Sequence, residues 1–77
     1  MNRCYNNDIP EGTEEAKIVV IAEGPKNYCF LINKFMSLVM KASINHTNVI
    51  NPYSGNVIPE SVIQAITAKY YRLENYQ

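Results

Sequence analysis

The chain contains one histidine, two cysteines and three glycines, and each shortage removes a class of function. One histidine and two cysteines do not fill a four-ligand zinc site, and Cys4, Cys29 and His46 follow none of the usual zinc spacings. No metal and no cofactor is therefore expected. Gly12, Gly24 and Gly55 are too scattered for a glycine-rich phosphate loop. The formal net charge is zero, without the basic excess of a chain built to neutralise phosphates. No apolar run reaches the roughly 18 residues of a membrane helix. The longest, residues 28–42, is interrupted by Asn33, Lys34, Ser37 and Lys41. No secretory leader is legible, so the expectation is a soluble intracellular protein of the cytoplasm or nucleus, with no membrane partner.

Catalytic chemistry is equally thin. A Cys29–His46 pair can be drawn as a nucleophile and base. Cys29 belongs to an apolar run expected to pack inward, while His46 falls in a polar loop. Glu11, Glu14 and Glu15 lie in or beside a turn-rich segment where carboxylates are solvated. No catalytic residue is assigned, and an enzyme is not expected.

What remains is a chain of 77 residues with 47% apolar residues, enough for one small domain with a marginal core. Its charge is unevenly spread. Residues 1–24 carry Asp8, Glu11, Glu14, Glu15 and Glu23 against Arg3 and Lys17, whereas residues 25–48 carry Lys26, Lys34 and Lys41 and no acid. The two segments either face each other or leave a small basic patch on the middle helix. Cys4 and Cys29 could be joined, but their spacing does not establish the geometry. A buried free thiol at Cys29 is the expectation, in a reducing compartment by default. Asn45-His46-Thr47 has the form of a glycosylation sequon, expected to be a chance match in an Asn-rich chain.

The pattern predicts a small α+β domain over residues 16–77 behind a flexible tail, 1–15, whose sole anchor would be Ile9-Pro10. A β-hairpin spans 17–32, with residues 23–27 as its loop. Four apolar residues in a row, Ile18 to Ile21, suggest that both faces of its first strand are covered. Asn33 can cap a helix over 34–43. A tight turn, 51–55, sits inside a second small hairpin, 49–58. Pro59 opens a helix to residue 73. The expected core is Ile18, Val20, Phe30, Ile32, Phe35, Leu38, Val39, Ile58, Val62, Ile63, Ile66 and Tyr70.

The segment most specific in its order is Asn51-Pro52-Tyr53-Ser54-Gly55, followed by Val57-Ile58 and Glu60-Ser61-Val62-Ile63. This order resembles the second half of a U-box domain: an Asn-Pro, a Ser-Gly turn, a short aliphatic strand and a helix start. It is also similar to small modules in proteins of large eukaryotic DNA viruses, whose AT-rich genomes would suit the Asn- and Ile-rich composition. The first loop usual in U-box domains, a Cys-Pro-Ile or its equivalent, has no counterpart upstream. The resemblance implies shallow-groove binding of a ubiquitin-conjugating enzyme.

Three functional expectations follow. The first is a non-enzymatic protein–protein interaction module, viral in origin, binding a host or viral protein through Asn51, Pro52, Tyr53 and Ser54 with Met36 and Met40. The second is a U-box-like accessory to ubiquitin transfer. The third is weak nucleic-acid binding through Lys26, Lys34 and Lys41. A two-stranded sheet is marginal by itself, which makes a homodimer formed by sheet extension a further option.

Overall fold

The computed structural model describes residues 4–6 and 9–75, the last two by their backbone alone. Arg3 and Asp8, two of the charges counted above, and the tail positions 1–3 and 7–8 lie outside these residues. A 3-10 turn, Glu15–Lys17, leads into strand β1 (Ile18–Glu23), strand β2 (Lys26–Leu31), helix α1 (Ile32–Ile44) and helix α2 (Glu60–Asn75). This is the expected hairpin followed by two helices.

β1 and β2 pair antiparallel with Ile18 opposite Leu31 and Glu23 opposite Lys26. The connection is tighter than the five residues expected, because only Gly24 and Pro25 lie outside the ladder. Gly24 takes φ +61°, as the first corner of a type II′ turn requires, and Pro25 supplies the negative φ of the second.

β1 buries the opposite parity to that expected, whereas Phe30 on β2 is buried as expected. Val19 and Ile21 point into the core with Tyr28 and Phe30, while Val20 stays 43% exposed and Ile18 is half-buried. Four consecutive branched residues carry no alternation, and a shift of one position exchanges every side chain between faces. One face of β1 therefore meets the helices, and Val20 and Ala22 on the other face are exposed.

α1 starts at Ile32, directly after β2, with Leu31 at the N-cap and no capping side chain. Asn33 is inside the helix. Ile32, Phe35, Met36 and Ala42 are its buried residues, and Leu38 and Val39 pack at the margin of the core. The helix ends in a full Schellman arrangement. The Thr47 amide donates to the Ala42 carbonyl at 2.9 Å and the His46 amide to the Ser43 carbonyl at 3.2 Å. His46 holds the left-handed position, φ +56°, where glycine is usual. His46→Gly is expected to raise stability by about 1 kcal/mol, since the strain of a side chain there is removed. Urea denaturation checks it; an unchanged or lower midpoint would show that His46 contributes contacts that offset the strain.

The second hairpin forms as expected. Ile50 bridges Val57, the Ile58 amide reaches the Val49 carbonyl at 2.9 Å, and the Asn51 amide reaches the Asn56 carbonyl at 2.8 Å. Pro59 accepts the first helical bonds of α2, from Val62 and Ile63. Ile58, Ile63 and Ile66 carry the last helix into the shared core with Val19, Ile21, Phe30 and Phe35.

Candidate functional site

Two features meet at the turn end of the β1–β2 hairpin: a loop clamped onto Glu23, and a strand edge with nothing on it. The loop is residues 51–56. Asn51 is fully buried. Its Oδ1 accepts the Tyr53 amide at 2.9 Å, its carbonyl accepts the Gly55 amide at 2.7 Å, and its Nδ2 donates to Glu23 Oε2 at 2.9 Å. Ser54 Oγ donates to the same oxygen at 2.9 Å, and Asn56 Nδ2 to Glu23 Oε1 at 2.9 Å. One carboxylate on β1 thus gathers three side chains from a loop some thirty residues away.

These donors set the charge state of Glu23. The hydrogen bond from Asn56, with those from Asn51 and Ser54 and the neighbouring Lys26 ammonium, holds the carboxyl below its ordinary value, outweighing the upward push of burial. A carboxylate with a lowered folded-state value favours the fold above the ordinary glutamate range. Its contribution disappears as pH falls through the lowered value. The clamp on Glu23 is therefore expected to weaken as the carboxylate is protonated in acid.

An aromatic series fixes the loop from the other side. Tyr53 stacks on Tyr28 with centroids 6.1 Å apart and planes 11° from parallel, and its ring also lies 5.5 Å from Phe30. Phe30 meets Phe35 edge-on at 5.6 Å. Tyr28 meets Tyr5 edge-on at 5.4 Å, and Lys26 Nζ stands 4.4 Å over the Tyr5 ring. Tyr53, still 44% exposed, is a rigid shoulder.

The two sheet edges differ. In an antiparallel pair, residues point both backbone groups to one side, alternately inward and outward. On β2, Asn27 and Cys29 point outward; the Asn27 carbonyl and both backbone groups of Cys29 are occupied. The Tyr5 amide donates to the Asn27 carbonyl at 2.6 Å. Asn6 holds both backbone groups of Cys29: its Nδ2 donates to the carbonyl at 2.7 Å and its Oδ1 accepts the amide at 2.8 Å. A Cys4–Cys29 disulfide, with Cα atoms 5.5 Å apart, pins this segment.

Three expectations are corrected here. Cys29 is buried but bonded, so the expected free thiol falls, and the disulfide runs against the reducing compartment taken as the default. Cys4 and Asn6 anchor the N-terminal segment to the sheet, so residues 4–6 do not form part of a loose tail. No thiol is available to His46, which is exposed beyond α1.

On β1 the outward residues are the cross-strand partners of those on β2: Ala22, Val20 and Ile18. The Ile18 carbonyl takes a hydrogen bond from Lys69 Nζ at 3.0 Å, which confirms the direction. The amides and carbonyls of Val20 and Ala22 find no hydrogen-bond partner among the described residues. A cleft of about 1030 Å³ passes this edge, lined by Val20, Ala22 and Glu23 from β1 and by Val57, Pro59 and Val62 from the next loop and helix start. A shallower hollow continues it past Ile18, Ala65 and Lys69.

The residues singled out in the sequence divide accordingly. Asn51 and Met36 are buried and offer no surface to a partner, because Asn51 organises the loop from inside and Met36 fills the core. Ser54 is half-buried and held by Glu23. Pro52 and Tyr53 remain exposed, as does Met40 at 62%. Met36 and Met40 thus share no contact surface. Lys34 and Lys41 are exposed on α1, whereas Lys26 is on β2, opposite Glu23 and over Tyr5. Lys26 thus sits outside any patch on the middle helix. Glu23 and Asn6 were not singled out, and the sheet extension raised as an option was not assigned to the β1 edge. Among the described residues no group of His, Cys, Asp and Glu could hold a metal ion, and no helix is long and apolar enough to cross a membrane. No family model, curated protein or solved structure matches the chain.

Proposed function

We propose that the protein is a non-enzymatic protein–protein interaction module that takes up an extended segment of a partner along the outer edge of β1. One observation carries this: of the two sheet edges, the N-terminal segment closes one, and Val20 and Ala22 leave the other open. Strand addition draws affinity from main-chain hydrogen bonds and selectivity from pockets for alternate side chains. Val20 and Ala22 supply the bonds, and Val57 and Val62 an apolar wall. The clamp on Glu23 keeps that wall in place before a partner arrives, which reduces the ordering cost of binding.

Random peptides displayed on phage are a direct probe. Val20→Pro removes the outward amide without breaking a β1–β2 bond, a position at which a strand tolerates proline. The expected result is capture of peptides with alternating apolar residues by the native chain, and loss of capture by the Val20→Pro chain with its disulfide and circular dichroism intact. Peptides held equally well by both chains would overturn the proposal.

A further inference from the structure

The β1 edge is short and self-complementary. Resting on the strand-addition reading above, we infer that its occupant is β1 of a second copy of this chain, antiparallel about a two-fold axis at Ile21. The two open positions, Val20 and Ala22, are separated by one residue. A two-fold axis through Ile21 places Val20 opposite Ala22 of the partner subunit. The Val20 amide then donates to that residue's carbonyl, and its amide donates back to the Val20 carbonyl. The symmetric pair repeats the exchange. Four hydrogen bonds form, and no group of either open residue remains unused.

Both ends of the edge select this register. The next bonded pair would set Ile18 against Gly24 of the partner subunit. The Ile18 carbonyl already holds Lys69, and Gly24 has left the strand with φ +61°. A register centred on Val20 would instead set Ile18 against Ala22 of the partner subunit, in competition with Lys69. About Ile21, Glu23 faces Val19 and Lys17 faces Pro25, so no like charges are opposed. Val20 and Ala22, exposed on the same sheet face, cover one another across the axis.

The chemistry of the edge argues for self-pairing over an unrelated strand. Ile18-Val19-Val20-Ile21-Ala22 contains no proline or charge of the kind that protects an exposed edge. Pairing of like edges about a two-fold is closed and cannot propagate. It also converts two marginal two-stranded sheets into one of four strands.

Sedimentation of the full, disulfide-bonded chain from about 10 µM to about 1 mM, with amide exchange by NMR, tests this. The expected result is a concentration-dependent dimer in which the Val20 and Ala22 amides slow by about tenfold or more relative to the dilute chain. A synthetic chain with N-methyl-Ala22, which loses the outward donor alone, is expected to remain a monomer, as is Val20→Pro. A monomer at all concentrations with both amides in fast exchange overturns the self-pairing and leaves the edge open to another strand. Slow exchange at both amides in a monomer overturns the self-pairing and the strand-addition reading together. A dimer that survives both variants has another interface and also overturns the inference.

Discussion

Reducing the Cys4–Cys29 bond is expected to lower the free energy of unfolding by about 3.5 kcal/mol, the loop-closure value for cysteines 25 residues apart. Natural domains hold roughly 5–15 kcal/mol in total, and short chains sit at the low end. Urea titration of the oxidised and dithiol-reduced chain would show the difference as a shift in midpoint. The loss has a local part as well. Asn6 and Tyr5 occupy the outer groups of Cys29 and Asn27, and a covalent tie is what keeps so short a segment at the sheet. Once reduced, the Cys29 amide is expected to exchange faster than those of Val19 and Ile21, which face β2. Equal urea midpoints, with the Cys29 amide unchanged, would mean that the hydrogen bonds of residues 5 and 6 hold the segment without the disulfide.

Asn51→Asp is the second large effect. The substitution changes one nitrogen into an oxygen and leaves the shape. In the native chain Nδ2 of the fully buried Asn51 donates to the half-buried Glu23 carboxylate at 2.9 Å. The variant sets two carboxylates against each other there, with a donor lost. A cost of about 3 kcal/mol or more is expected at neutral pH. Its pH dependence separates this cause from a general packing defect. The native Glu23 carboxyl is held low, so the native chain loses stability as pH falls through that lowered value. In the variant, burial and like charge raise the folded-state values above those of the unfolded chain, so protonation relieves the clash. Stability then recovers on acidification, starting above the ordinary carboxylate range. Urea midpoints between neutral pH and pH 4 should converge for the two proteins. Parallel curves would show that Asn51 does not act through Glu23.

The elements themselves were legible because their signals are local. Gly24-Pro25, the Asn51–Gly55 turn, Pro59 ahead of α2 and the apolar spacing of Phe35, Leu38, Val39 and Ala42 each specify backbone angles or a face within a few residues. The facing of β1 was not legible, since Ile18 to Ile21 repeat one side-chain type and carry no period of two. Asn51 looked like a surface turn residue, because its turn chemistry is local and its burial is not. The clamp on Glu23 joins residues 28 to 33 apart. Asn6 meets Cys29 across 23. A lone glutamate before Gly-Pro and an asparagine in a polar run give no sign of such partners. A buried free thiol at Cys29 was the expectation in place of the disulfide, because nothing local shows that residues 4 and 29 come within bonding reach.

The Tyr28–Tyr53 stack has a practical corollary. With no tryptophan in the chain, phenol rings dominate its near-ultraviolet absorption and its emission. Two of them lie nearly parallel at 6.1 Å, one on the sheet and one on the loop. Transition dipoles at that range couple, as do those of Tyr5–Tyr28 and Tyr70–Tyr71, so the near-ultraviolet circular dichroism is expected to change when the rings part. Compared with a Tyr53→Phe chain, that change is an intrinsic optical report on the contact between loop and hairpin, one that needs no attached dye.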